Sequence, residues 1–315
     1  MSATQTREPD GAARRRARDG FVIVAVLWIL MALATLVSIY SIYVGHSALA
    51  LAAIDDGLRV ESLVSTGVEL SVYRMTAPTA GKRPTRGSFR FRLNGANVVA
   101  SYAPENARVD LNLAPKEMLT RLFAALGATD EEADGIGDRV IGWRTPPKRG
   151  AESSEDNLYR SAKLSYLPRG AAFPHVSELW LVHGLPPALV ARALPFVTVY
   201  SGRAEINVFD APPEVLAVLP GMAGARLTSF LDRRDTIPHD PDALALLLGP
   251  DQAGATAEAS QSVRVRVQIA FDNGHKTTSE VVVLLGTDSE PYRVLSWRDN
   301  VDAAQDQLRT ATRLQ

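Results

Sequence analysis

The sequence contains no cysteine. That excludes a disulfide framework, a thiolate metal site and a cysteine nucleophile. It has almost no net charge, -1 from 34 basic and 35 acidic residues, so no chain-wide basic field directs it to nucleic acid. The HExxH, GxxxxGK(S/T) and GxSxG patterns are missing, and with them the usual sequence marks of a zinc protease, a phosphate-binding loop and an esterase elbow. No two of the five histidines (His46, His175, His183, His239 and His275) stand at ligand spacing. Low-complexity bias is absent too. At 315 residues and 46% apolar, the chain can bury one large core or two modest ones.

What is present begins at the N-terminus. Residues 1–19 are polar, with Arg14, Arg15, Arg16 and Arg18 clustered. Gly20 then opens an uncharged run, Phe21 to Val44. As a helix the run is about 36 Å long at ~1.5 Å per residue, enough to cross a bilayer. A buried soluble helix of this length would need a polar face, and the run has none. Arginines precede it, and the first charges after it are Asp55 and Asp56. The positive-inside rule therefore predicts a cytoplasmic N-terminus and a head on the far side. Ala48-Leu49-Ala50 offers an ordinary signal-peptidase pattern, but the apolar run is too long for a cleaved export signal. Residues 48–75 hold few helix breakers besides Gly57 and Gly67, so the helix is expected to continue to about Met75.

Beyond it, residues 76–87 read as a loop and 88–102 as a hairpin. Phe89, Phe91 and Leu93 alternate with Arg90 and Arg92, and Asn94-Gly95 supplies a type I′ turn. A third short strand fits Arg108 to Leu113. Helices are expected at 115–126, 130–143, 176–182, 188–196 and 212–219, continuing to about Leu248. Residues 145–174 are expected as a long polar loop, 204–208 as a strand and 249–262 as a polar linker. A last hairpin follows, with Val263, Val265, Val267, Ile269 and Phe271 alternating with polar residues, a turn at Asp272-Asn273-Gly274, and a return over 276–285. Residues 292–297 form a final strand, and the tail from Asp299 is polar. Strands at both ends with helices between predict an α+β fold: an antiparallel sheet from 88–114 and 262–298, packed on the long helix 21–75 and interrupted by a helical insertion, 115–248.

Two segments echo each other. Val109-Asp110-Leu111-Asn112-Leu113-Ala114-Pro115-Lys116-Glu117-Met118-Leu119 parallels Ile206-Asn207-Val208-Phe209-Asp210-Ala211-Pro212-Pro213-Glu214-Val215-Leu216. Each reads as a strand end, a cap and a helix start, with Glu117 and Glu214 near the positive helix end and Asp210 a candidate cap. Together with Val176-Ser177-Glu178-Leu179-Trp180-Leu181-Val182-His183-Gly184, these motifs resemble the K-type minor pseudopilin of type II secretion systems (the general secretion pathway protein K family). The resemblance runs from Gly20 through at least Met222. It implies a prepilin leader over residues 1–20 cut between Gly20 and Phe21, followed by N-methylation; cleavage after Ala50 and an uncut Met1 are the alternatives. It also implies a SAM-like or helix-hairpin-helix-like insertion. Most pilins carry Glu at the fifth residue after the cut, and K-type proteins lack it; Ala25 stands there. A carboxylate in the bilayer needs a partner, and a subunit with none ahead of it has no such need.

The implied role is structural: a subunit at the pseudopilus tip, initiating assembly and supporting export. The implied partners are the I- and J-type minor pseudopilins, the major pseudopilin, the prepilin peptidase and the inner membrane. Ala25, Ala32 and Ala34 are candidate helix-packing positions in lipid. The family's acidic calcium stretch is replaced here by Arg144-Thr145-Pro146-Pro147, which leaves Glu152, Glu155 and Asp156 as candidate calcium ligands. A rival reading takes Leu219-Pro220-Gly221-Met222 and the helix after it, with Arg226, Arg233 and Arg234, as a helix-hairpin-helix that binds DNA phosphates. The balanced charge favours the pseudopilin reading, for which no nucleic acid is expected.

Overall fold

A computed structural model describes residues 11–77, 84–147, 154–248, 253–287 and 289–301. The first element is one helix, α1 (Gly11–Thr76). The chain divides within it into two compact units, Met1–Ser62 and Leu63–Gln315.

In the second unit, the end of α1 is followed by β1 (Gly87–Leu93) and β2 (Ala96–Pro104). Asn94 and Gly95 join them with φ of 50° and 72°. Positive φ at both central residues is what a two-residue I′ turn requires, and this pair supplies it at little cost. The helical insertion comes next: β3 (Val109–Asp110), α2 (Lys116–Ala125), α3 (Asp130–Arg144) and α4 (Ser154–Ser161). It continues through a 3₁₀ segment at Val176–Leu181, then α5 (Pro187–Ala193), β4 (Val197–Thr198) and β5 (Ile206–Asn207). It closes with α6 (Pro213–Leu216), α7 (Gly224–Arg234), α8 (Pro241–Leu248) and β6 (Ala255–Thr256). The chain then returns as β7 (Ser262–Phe271), β8 (Lys276–Thr287) and β9 (Glu290–Arg298).

The main sheet has the order β1-β2-β7-β8-β9, and its four pairings are antiparallel. The last hairpin thus joins the first, as the two outer blocks of alternating residues predict. One face lies on the end of α1. Leu63, Val64, Val68, Val72 and Met75 are buried there, at the 3–4 residue spacing of a helix stripe. Gly67 and Ser71 occupy the same stripe. A Cβ on Gly67 would sit 2.9 Å from Val267 Cγ2, so the helix crosses β7 where only glycine fits. Ser71 is fully buried and donates its hydroxyl to Gly67 O at 2.7 Å. Across the sheet Ala96, Val98 and Ala100 meet Val263, Val265, Val267, Val281 and Val283 in the same layer. Each large side chain in it stabilises the packing by about 1.5–3 kcal/mol.

The insertion has a core of its own, drawn from Val109 through Leu248, with Leu111, Leu119, Phe123, Tyr159, Phe209 and Leu216 fully enclosed. Thr129 caps α3 through a reciprocal bond with Glu132.

Four expectations need correction. The third strand, 108–113, does not extend the main sheet; β3 pairs in parallel with β4 inside the insertion. The polar stretch 145–174 is not all loop, because Tyr159 is fully buried against Trp143 and holds α4 in place. The linker 249–262 contains β6, which pairs in parallel with β5. Asp210 does not cap α6, whose first backbone groups follow Pro212 without a side-chain cap. The start of the tail is also tied down: Asp299 accepts from Ser279 Oγ (2.6 Å) and Trp297 Nε1 (3.0 Å), and Val301 is buried. Residues 302–315 lie outside the described residues.

Candidate functional site: the anchor helix and the sheet–insertion joint

Within the first unit, Val22–Ser47 has a mean hydropathy of 2.8 and is wholly unburied. It is the described helix long and apolar enough to cross a membrane. Near its middle, the Thr35 hydroxyl is satisfied locally, donating from Oγ1 to Met31 O at 2.8 Å, as a bilayer demands. Trp28, Tyr40 and Tyr43 point outward. The predicted small-residue positions do not form one stripe. Ala25 and Ala32 are seven residues apart and share a face, whereas Ala34 falls on the opposite side of a 3.6-residue helix. The backbone at the predicted cut, Gly20–Phe21, lies inside α1.

In the second unit, the chain leaves the sheet at Pro104 and re-enters it at Ser262, and these two crossings are stapled together. The Asn106 side chain donates from Nδ2 to Glu258 O (2.9 Å), while its Oδ1 accepts from Ser260 N (2.9 Å). Asn106 therefore presents itself to the return strand as a peptide group would. Beside it, Glu105 is fully enclosed and accepts from Arg264 Nε (2.7 Å) and Nη2 (3.1 Å), from Arg108 and from Thr198 Oγ1. Arg264 also reaches Glu280 at 3.3 Å, which receives Arg298 at 2.5 Å and Arg266 at 3.5 Å. The network joins the 3₁₀ turn after β2 (Glu105–Ala107) to β4, β7, β8 and β9.

The electrostatics follow from that crowding. Burial pushes the Glu105 carboxyl up, but Arg264 and Arg108, with bonds from Arg264 and Thr198, outweigh it and hold it below the usual range. Glu280 is likewise pushed up by burial and pulled lower overall by Arg264, Arg298 and Arg266. Both are charged acceptors that keep buried arginines neutralised. Sequence reasoning missed this joint. Arg264 looks like an ordinary outward residue of an alternating strand, and Glu105 lies 159 positions away from it. The one available signal was Glu105-Asn106 directly after a strand ending in proline.

The two echoing segments fold alike. Asp110 Oδ1 accepts from Asn112 N (2.8 Å), and Asn207 Oδ1 accepts from Phe209 N (3.0 Å). In each copy an arginine ending the second helix returns to the carbonyl before the proline. Arg144 Nη2 donates to Ala114 O (2.7 Å) and Arg234 Nη1 to Ala211 O (2.6 Å). That use consumes Arg234, and Arg226 donates to Leu248 O (3.1 Å). Two of the three cations on which a DNA-binding hairpin would rely are thus spent inside the fold.

The candidate calcium ligands are not convergent. Glu155 is held by Arg139 at 2.8 Å, and Asp156 lies 3.6 Å from Arg160. Glu152 lies outside the described residues. Among the described residues no group of three or more acidic or histidine side chains is placed to hold a metal.

A long apolar helix, an antiparallel sheet laid on its continuation and a helical insertion between the second and third strands define a membrane-anchored, pilin-like α+β protein. Residues 90–202 match the family described as type II secretion system (T2SS), protein K, and the chain is similar to proteins of that description in sequence and to a chain of a solved complex in fold. It is 32% identical over 149 residues to the type II secretion system protein K of Pseudomonas aeruginosa, covering 47% of this chain and 42% of that one. It is 28% identical over 157 residues to the protein of the same description from Klebsiella pneumoniae, covering 44% and 47%. These matches span less than half the length of either relative. The fold resembles a chain of the GspK-GspI-GspJ complex from the type 2 secretion system of enterotoxigenic Escherichia coli. The TM-score is 0.57 at 16% identity, over 77% of this chain and 94% of that one.

Proposed function

We propose that the chain is the K-type minor pseudopilin of a type II secretion system, standing at the pseudopilus tip. One coincidence carries the reading: the protein K match at residues 90–202 falls across the joint and first half of the insertion, in a chain that also bears an apolar anchor helix. In this reading the prepilin peptidase cuts between Gly20 and Phe21, and the helix stays in the inner membrane with its N-terminus cytoplasmic. The face holding Ala25 and Ala32 packs against the helices of the I- and J-type minor pseudopilins, the partners suggested by the complex in which the structural relative was solved. Ala25 places no carboxylate in the bilayer, which suits a subunit with no neighbour ahead of it. In this reading the insertion, fastened to the sheet by Glu105, Asn106 and Arg264, would obstruct a subunit stacking on it and so end the filament.

The role is one of assembly and export, with no chemical step assigned. A photoreactive residue at Ala25 or Ala32 in the native host tests it. Crosslinks to the I- and J-type subunits are expected, and crosslinks confined to unrelated membrane proteins would overturn the reading.

A further inference from the structure

The two edges of the main sheet are built differently. β9 is blunted: Pro291 has no N–H to offer, and the pairing with β8 slips between Val282 and Val283. Such devices keep an exposed edge from recruiting another strand. β1 has neither. It pairs with β2 over seven consecutive residues without a shift, and among the described residues it has no neighbour on its other side.

Its side chains are sorted by face. Phe89 and Phe91 stack at 6.1 Å on the α1 side, and Arg74 lies 4.2 Å over the Phe89 ring. Leu93 continues that row and is partly exposed. The opposite face carries Ser88, Arg90 and Arg92, all exposed. Arg92 is paired with Asp272 at 2.8 Å, whereas among the described residues no carboxylate lies within ion-pair distance of Arg90.

We propose that β1 is an acceptor edge for an extended strand of a partner protein in which acidic and apolar side chains alternate. Main-chain bonds from the open edge would bind it. Its acidic side chains would lie beside Arg90, and its apolar ones would extend the row Phe89, Phe91, Leu93. A second copy of this chain is a poor occupant. Antiparallel pairing of two β1 strands centred on Arg90 sets Arg90 against Arg90, and like charges directly opposite are destabilising.

The test uses the full chain in detergent micelles and a fluorescein-labelled peptide of alternating glutamate and valine, with a twin carrying lysine for glutamate. In anisotropy titrations the glutamate peptide should bind about fivefold tighter than its twin, the effect of one or two exposed charge pairs. Arg90→Glu, at an exposed position that leaves the fold intact, should reverse the order. Hydrogen exchange should slow at residues 88–93 when the glutamate peptide is bound. Equal binding of both peptides, no binding at millimolar peptide, or protection elsewhere would overturn the proposal. A dimer protected at β1 without peptide would also overturn it, in favour of self-pairing.

Discussion

Changing Glu105 to glutamine keeps the side chain's shape and removes its charge. Glu105 is fully enclosed and Arg264 is only 9% exposed. The substitution leaves the buried guanidinium with Glu280, 3.3 Å away and already shared with Arg298 and Arg266. Removing one partner of a buried, hydrogen-bonded pair costs about 3–5 kcal/mol, mostly for the charge left behind. The pair between Arg203 and Glu258 spans the same joint but is 41% and 63% exposed, so Glu258→Gln should cost no more than about 1 kcal/mol. Thermal and urea unfolding of the full chain in detergent, followed by near-ultraviolet circular dichroism, measures both. Sheet and insertion have separate cores, so Glu105→Gln should also split one transition into two. Replacing Glu105 and Arg264 together by methionine should recover part of the loss, because the Arg264 charge is no longer stranded while Arg108 still loses its carboxylate partner. If Glu105→Gln and Glu258→Gln fall within about 1 kcal/mol of each other, the joint does not hold the insertion and the argument fails.

Gly67→Leu should lower stability by about 1–3 kcal/mol through overpacking against Val267, read as a fall in unfolding midpoint; an unchanged midpoint would mean that α1 does not cross β7 so closely. Glu105 and Glu280 titrate below their ordinary value of 4.5 in the fold, so their stabilisation is present above about pH 4.5 and lost as pH falls through the lower folded values. A pH series should therefore show the joint loosening under acid, with hydrogen exchange rising first at residues 104–109 and 258–264. Calcium at millimolar concentration should leave the unfolding midpoint unmoved, because Arg139 already occupies Glu155; a rise of several degrees would show a site that completes itself when the ion arrives. N-terminal sequencing of the protein from host membranes should begin at Phe21, and a start at Met1 or beyond Ala50 would contradict the prepilin reading.

Much of this architecture is written in local patterns. The β1–β2 turn follows from Asn94-Gly95, and the period-two runs around Phe89 and Val265 place the outer strands. The α1 stripe was harder to read, because two of its positions are Gly67 and Ser71. Their small size permits the close crossing of β7, and it also removes them from any count of apolar residues. The pairs β3 with β4 and β5 with β6 are two residues long, too short for a periodic signal. The joint was illegible for a different reason. Glu105, Thr198 and Arg264 become neighbours only when the insertion closes on itself, and each alone looks like a surface residue. Of the proposed packing positions, helical geometry sets Ala25 and Ala32 on one face and Ala34 on the other.

The most direct measurement is the fraction of a pathway substrate found outside the cell when this chain's gene is deleted in its own host. A tip subunit that starts the pseudopilus predicts that the extracellular fraction falls to background and returns when the full chain is supplied. Undiminished export from the deletion strain would contradict the account.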